Sequence, residues 1–291
     1  MSFVEQVRGF LPASWHQRHP LVPVLRLNGP IGMVTPLRPG LSLATLAAPL
    51  ERAFKIRRAA AVALVVNSPG GSPVQSHLIY KRIRDLAEEH GKPVFVFIED
   101  VGASGGYMLA LAGDEIVADP SSIVGSIGVV AATFGFDKAI EKLGIDRRVY
   151  TAGDRKVTLD SFQPEKPEDV RRIKAIQKDV HASFIALVKK RRADTLKGSD
   201  RLLFSGEFWT GNKALDLGLV DRLGDLKGVL RERYGEKVRL VPVPTGRGGL
   251  LRRLRPFTAI GSADVPGLAS GFADDLVSAV ETRALWSRFG L

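Results

Sequence analysis

The sequence predicts an α/β fold with a mainly parallel sheet, on three observations. Residues 59–66 and 93–98 are continuous apolar runs of strand length, the pattern of strands covered on both faces, and residues 21–27 alternate as a further strand. Helix-length amphipathic stretches separate them. Glycine-rich loops, Ser-Pro-Gly-Gly at 68–71 and Ala-Ser-Gly-Gly at 103–106, follow two of the strands. Strands that alternate with helices pair in parallel, because each crossover returns the chain to the same edge of the sheet.

Taken in order, Phe3, Val4, Val7, Phe10 and Leu11 recur at helical spacing and predict a short amphipathic helix over residues 2–11, ended by Pro12. After strand 21–27, the Asn28-Gly29-Pro30 turn leads to a short strand through Val34. Residues 43–57 read as a helix with Leu46, Leu50 and Phe54 inward, and residues 73–90 as a second helix beginning after the Ser-Pro-Gly-Gly loop. Strand 93–98, the Ser104 loop with its helix, and a strand at 115–118 follow. Residues 164–192 predict one long helix with Val170, Ile173, Ile176, Val180, Phe184, Leu187 and Val188 on one side. Its terminal Lys189-Lys190-Arg191-Arg192 run complements the helix dipole, so we read it as a solvated helix end. A strand at 238–243 closes the core; residues 244–256 form a basic linker, and Leu268, Phe272, Leu276, Val280 and Ala284 predict a last amphipathic helix. The expected organisation is an N-terminal amphipathic segment over 1–20, a core domain over 21–243, and a linker with its helix over 244–291.

With 291 residues the chain can bury a sizeable core. It has no cysteine, which excludes disulfides, thiolate chemistry and cysteine-held zinc. The five histidines, His16, His19, His77, His90 and His181, show no metal-ligand spacing with carboxylates, so no metal is expected. The net charge of +11 attracts anionic partners. No interleaved aromatic motif accompanies it, and a membrane surface is the expected partner in place of nucleic acid. The first 20 residues contain neither a secretory h-region nor a stretch long enough to span a bilayer. The expectation is a cytoplasmic protein with peripheral contact at the inner membrane face.

Ser104 is the candidate nucleophile. Gly102, Ala103, Gly105 and Gly106 leave room around it for a close turn and an approaching chain, and the apolar run after it starts a helix whose free N–H groups favour negative charge. Serine is equally a common N-cap, and Gly-Gly a common turn. A second glycine loop after a second buried strand, with Gly70 and Gly71 able to turn bare amides toward an oxyanion, points to one shared site.

NSPGG at 67–71 and ASGGYMLALAGDEIVADPSSIVGSIGV at 103–129, continued by YTAGDRKVTLDSF at 150–162 and SGEFWTGNKALDLGLVDRLG at 205–224, resemble the signal peptide peptidase family, serine-lysine peptidases of the SppA and SohB type with the ClpP/crotonase fold. The resemblance covers roughly residues 21–243. It implies stacked strand-loop-helix units, a peptidase domain over 21–243, no cofactor, a peptide or protein substrate such as a cleaved signal peptide, and a homo-oligomer. Relatives often carry a membrane anchor at the N-terminus, and the first 20 residues depart from that pattern.

A serine hydroxyl needs a base. No histidine lies between His90 and His181, and His181 falls in mid-helix, where surface or packing roles are expected. The resemblance assigns the base to Lys156, 52 residues after Ser104; by composition alone a lysine in Gly-Asp-Arg-Lys is a solvated loop charge. A lysine held neutral serves as a base in serine-lysine variants of the triad. Arg155 aids deprotonation if it faces the site, although neighbouring strand side chains point apart. The resemblance also implicates Ser126 in the GSIGV motif, either orienting Lys156 or satisfying the backbone of a tight loop, and both readings stay open. The amides of Gly71 and Gly105 are the expected oxyanion donors. Two rival readings are a crotonase-like enzyme acting on acyl-CoA, which requires site carboxylates, and a non-enzymatic scaffold at the membrane surface.

Overall fold

The computed structural model describes residues 19–32, 40–153, 155–245, 283 and 286–290. The helix expected at 2–11 and most of the linker and last helix lie outside them.

One eight-stranded sheet organises the chain. Its strands are β1 (Leu21–Asn28), β2 (Val62–Ser68), β3 (Val94–Ala103), β4 (Glu115–Ala118), β5 (Ile123–Gly125), β6 (Phe208–Thr210), β7 (Arg222–Leu223) and β8 (Arg239–Pro242). The main path runs β6-β5-β3-β2-β1-β8, with β4 beside β3 and β7 beside β4. Every pairing is parallel except β5 with β6.

Apolar residues alternate across the sheet and bury on both faces. Leu25, Leu27, Leu64, Val66, Val96 and Ile98 enter one core. Their neighbours Val24, Ala63, Val65, Phe95 and Phe97 enter a second, against Val229 and Leu230 of a covering helix. That is why residues 59–66 and 93–98 lack polar positions.

Eight helices connect these strands among the described residues: α1 (Leu43–Phe54), α2 (Pro73–His90), α3 (Gly105–Ala110), α4 (Asp137–Lys142), α5 (Pro167–Arg192), α6 (Asp200–Leu203), α7 (Gly211–Asp216) and α8 (Leu226–Tyr234). The bounds of α2 follow from local chemistry. The Ser72 hydroxyl accepts from the Gln75 amide, Pro73 takes the first turn, and Gly91 closes the helix at φ 59. At the expected start of β2, Ala59 makes only a single bridge to Leu21; the strand proper begins at Val62. Ile31 likewise forms isolated bridges, to Leu41 and Gly71, and Val34 lies outside the described residues.

β3 positions the candidate site. Its first half pairs with β4 through Phe95–Ile98 and its last residues with β5 through Val101–Ala103, so the strand changes partners at Glu99-Asp100. Asn67 braces that change: its Nδ2 donates to Asp100 Oδ2 at 2.6 Å, and its Oδ1 accepts from the Val101 amide at 3.2 Å. Beyond it, α3 is buried throughout. The Tyr107 hydroxyl donates to the Leu219 carbonyl at 2.7 Å, and burial pushes its pKa up from the ordinary phenol value.

The long helix departs from its expected pattern at both ends. Phe184, Leu187 and Val188 are buried, whereas Ile176 is 53% exposed, so the apolar face of α5 is fully buried only in its C-terminal half. The basic run is exposed only at Lys189, whose ammonium pairs with Asp200, and at Lys190. Arg191 donates to the carbonyls of Leu111 and Gly113 at 2.9 and 2.7 Å, just past the C-terminus of α3, and buried Arg192 pairs with Asp221 at 2.7 Å and donates to the Gly218 carbonyl. Unpaired carbonyls beyond a helix end attract such donors. The pattern of α5 itself could not reveal them, because they come from distant segments.

Between β5 and α5 the chain forms an arm that leaves apolar side chains in solvent. Phe134 is 78% exposed, Leu143 72% and Tyr150 90%, and α4 buries none of its residues. Phe136 makes tilted ring contacts with Phe134 and with Phe162, and Arg147 lies over the Phe162 ring while pairing with Asp160. Lys156 is carried by this arm.

Candidate active site

Ser104 stands between β3 and α3 at φ 53 and ψ −123. A non-glycine residue at positive φ is strained, by about 1–3 kcal/mol, and persists only where surrounding bonds enforce it. Here the Ser104 amide donates to the Gly125 carbonyl at 2.8 Å and the Ser104 carbonyl accepts from the Met108 amide at 3.0 Å. The hydroxyl makes no capping bond to α3. The N-cap reading thus fails in its specific form: this residue occupies the cap position while its hydroxyl remains available.

The two glycine loops meet at this serine. A Cβ added to Gly70 falls 2.8 Å from both the Gly105 nitrogen and the Ser104 Cβ. The Gly70 amide is engaged by Ser68 Oγ at 3.2 Å, whereas the amides of Gly71 and Gly105 have no partner among the described residues. Gly71 is held at φ +140 with its neighbours locked to Ile31: Ile31 N donates to Gly70 O and Ser72 N to Ile31 O, each at 2.8 Å. Gly71→Ala places a Cβ 2.1 Å from the Ile31 carbonyl oxygen. The loop then moves, and we expect labelling by a serine-directed fluorophosphonate to slow about 10²- to 10³-fold, with destabilisation of about 1–3 kcal/mol. Labelling at the wild-type rate in that variant contradicts a donor role for Gly71.

Ser104 opens into a cleft of about 370 Å³ whose lining includes Gly71, Ser126, Gly128, Gly206 and Arg288. Ser126 also has positive φ, 53, and is 7% exposed. Its loop is satisfied by other groups: the Ser126 amide donates to Glu207 O at 2.7 Å and the Gly128 amide to Ser126 O at 2.9 Å. The Ser126 hydroxyl has no partner among the described residues, an arrangement that favours the cleft over a loop-satisfying role. Ser205 and Gly206, from the SGEFWTG motif, and Arg288 were not expected at this wall. The antiparallel β5-β6 pair brings the first two there, which no spacing in the sequence signals.

Lys156 is not in this cleft. It is exposed, lines a separate open cavity with Ala152, Gly153 and Arg155, and its ammonium has no partner among the described residues. The structure brings Ser104, Ser126, Gly71 and Gly105 together and leaves Lys156 with Arg155 on the arm. No three His, Asp or Glu side chains among the described residues are placed to hold a metal ion.

A mainly parallel sheet that presents a serine on a strained strand-to-helix turn, beside a second glycine loop, has the form of the ClpP-like fold that serine peptidases and crotonases share. The chain belongs to peptidase family S49, whose profile matches residues 87–237. It is 55% identical over 288 residues to a Brucella abortus (strain 2308) protein named Na(+)/H(+) antiporter NhaA, a match covering 98% of this chain and 39% of that one. It is 30% identical over 221 residues to the chloroplastic serine protease SPPA of Arabidopsis thaliana, covering 75% of this chain and 31% of that one. It is 34% identical over 182 residues to Protease 4 of Haemophilus influenzae, covering 62% and 29%. The chain therefore spans less than half the length of these relatives. Among the described residues no helix is long and apolar enough to cross a membrane.

Proposed function

We propose that this chain is a serine endopeptidase acting through an acyl-enzyme, with Ser104 as nucleophile and Lys156 as base. The observation that carries the reading is Ser104 itself, held at φ 53 with an uncapped hydroxyl beside the amides of Gly71 and Gly105, which have no partner among the described residues. Ser104 Oγ attacks the scissile carbonyl and its proton passes to neutral Lys156 Nζ. The two amides stabilise the oxyanion. Lys156 then protonates the leaving amine as the C–N bond breaks, and a water, deprotonated by the same lysine, hydrolyses the ester. Ser126, which lines the cleft, orients the lysine once it arrives.

Lys156 reaches the site on assembly. The arm that carries it exposes Phe134, Leu143, Ile145 and Tyr150, a concentration of apolar surface suited to a second copy of the chain. The substrates are signal peptides or other membrane-derived peptides. They bind extended along Gly128–Val130, whose Val129 and Val130 backbone groups have no partner among the described residues. The net charge of +11 supports peripheral contact at the inner membrane face, within the cytoplasm.

Incubating the chain with unstructured apolar peptides and reading the products by mass spectrometry tests this function. We expect cuts at internal peptide bonds, stopped by a fluorophosphonate and insensitive to EDTA. Intact peptides together with turnover of an acyl-CoA thioester support the crotonase reading instead.

A further inference from the structure

His181 lies outside the cleft, half-buried on α5, yet it touches the loop that forms one wall of it. Its Nε2 stands 3.0 Å from the Ile127 carbonyl oxygen. A carbonyl only accepts, so Nε2 carries the hydrogen and donates. Ile127 is fully buried and sits between Ser126, at φ 53, and Gly128, both of which line the cleft.

The other polar groups of this loop are tied down as well. Gly125 O accepts from the Ser104 amide at 2.8 Å, Ser126 N donates to Glu207 O at 2.7 Å, and Gly128 N donates to Ser126 O at 2.9 Å. These are backbone bonds. His181 adds a side-chain donor to the segment, and it does so at the buried peptide between the two cleft-lining residues. Without it the Ile127 carbonyl is left unsatisfied in the interior, and that peptide gains by turning toward another donor. The Gly128 amide belongs to the same peptide unit, so the turn also breaks its bond to Ser126 O and loosens the wall that Ser126 and Gly128 form beside Ser104.

We infer that His181 is a positioning residue for the Ser104 reaction, holding the Gly125–Gly128 wall in register with the nucleophile through its bond to Ile127. The inference rests on the function proposed above. It assigns a role to a histidine that mid-helix position alone marks only as surface or packing, and it needs no contact between the imidazole and the substrate.

The test compares full-length His181→Ala and His181→Gln with the wild type. The amide nitrogen of glutamine reaches nearly the position of Nε2 and also donates. For His181→Ala we expect fluorophosphonate labelling and kcat both to fall about 10- to 100-fold, with KM changed less than about 3-fold. Glutamine is expected to restore both to within about 3-fold of wild type. A helix that merely lost packing gives no such rescue. Wild-type labelling in His181→Ala, or equal loss in both variants at unchanged melting temperature, overturns the inference. Hydrogen exchange over residues 123–130 reads the same bond without any chemistry: faster exchange in the alanine variant and near-wild-type exchange in the glutamine variant are expected, and unchanged exchange in the alanine variant overturns it. If the wild type itself takes no label at Ser104, the peptidase reading fails, while the exchange result still decides the role of His181.

Discussion

Ser104→Ala abolishes peptide turnover, by about 10⁶-fold, and leaves the melting temperature within about 2 °C of wild type. Two facts make this combination expected. The hydroxyl caps no helix, so its removal costs no structural hydrogen bond. The φ of 53 weighs on alanine as it does on serine, so the backbone strain is unchanged. Activity measured beside a thermal melt checks it; residual turnover above about one part in 10⁴ places the nucleophile elsewhere.

Lys156→Ala is expected to slow labelling and turnover about 10²- to 10⁴-fold, the usual worth of a general base. Its stability should not change, because the side chain is exposed and without a partner among the described residues. A second property separates this lysine from an ordinary surface charge. If the arm brings Lys156 to the cleft only on assembly, dilution of the wild type below its assembly concentration lowers its labelling rate toward that of Lys156→Ala, whereas the variant's own rate stays constant with concentration. A wild-type rate that is independent of concentration, with the protein shown to dissociate, contradicts the assembly requirement.

Much of this molecule is legible in its sequence because the determining interactions are local or periodic. Ser72, Pro73 and Gly91 mark both ends of α2 through short-range capping, and the unbroken apolar runs of β2 and β3 report burial on two faces. Ser104 and Gly71 are visible for a similar reason: only small residues tolerate the close approach of the two loops, and their glycines record it. What escaped reading is settled by distant partners. Arg191 and Arg192 look like a solvated run until the carbonyls of Leu111, Gly113 and Gly218 arrive. His181 meets a carbonyl 54 positions away, with no motif to announce it. The apolar pattern of α5 correctly gave a helix but overstated its packing, since periodicity shows which face is apolar and not what covers it. Lys156 is the extreme case: composition makes it a solvated loop charge, the resemblance makes it the base, and the chain taken singly leaves it in solvent.

The central claim is an activated serine at position 104. Intact mass after incubation with a fluorophosphonate, on the assembled wild type, Ser104→Ala and Lys156→Ala, tests it most directly. The account predicts a single adduct on the wild type, none on Ser104→Ala, and a greatly slowed one on Lys156→Ala. A wild-type oligomer that takes no adduct, or a Ser104→Ala variant that takes one at the same rate, contradicts it.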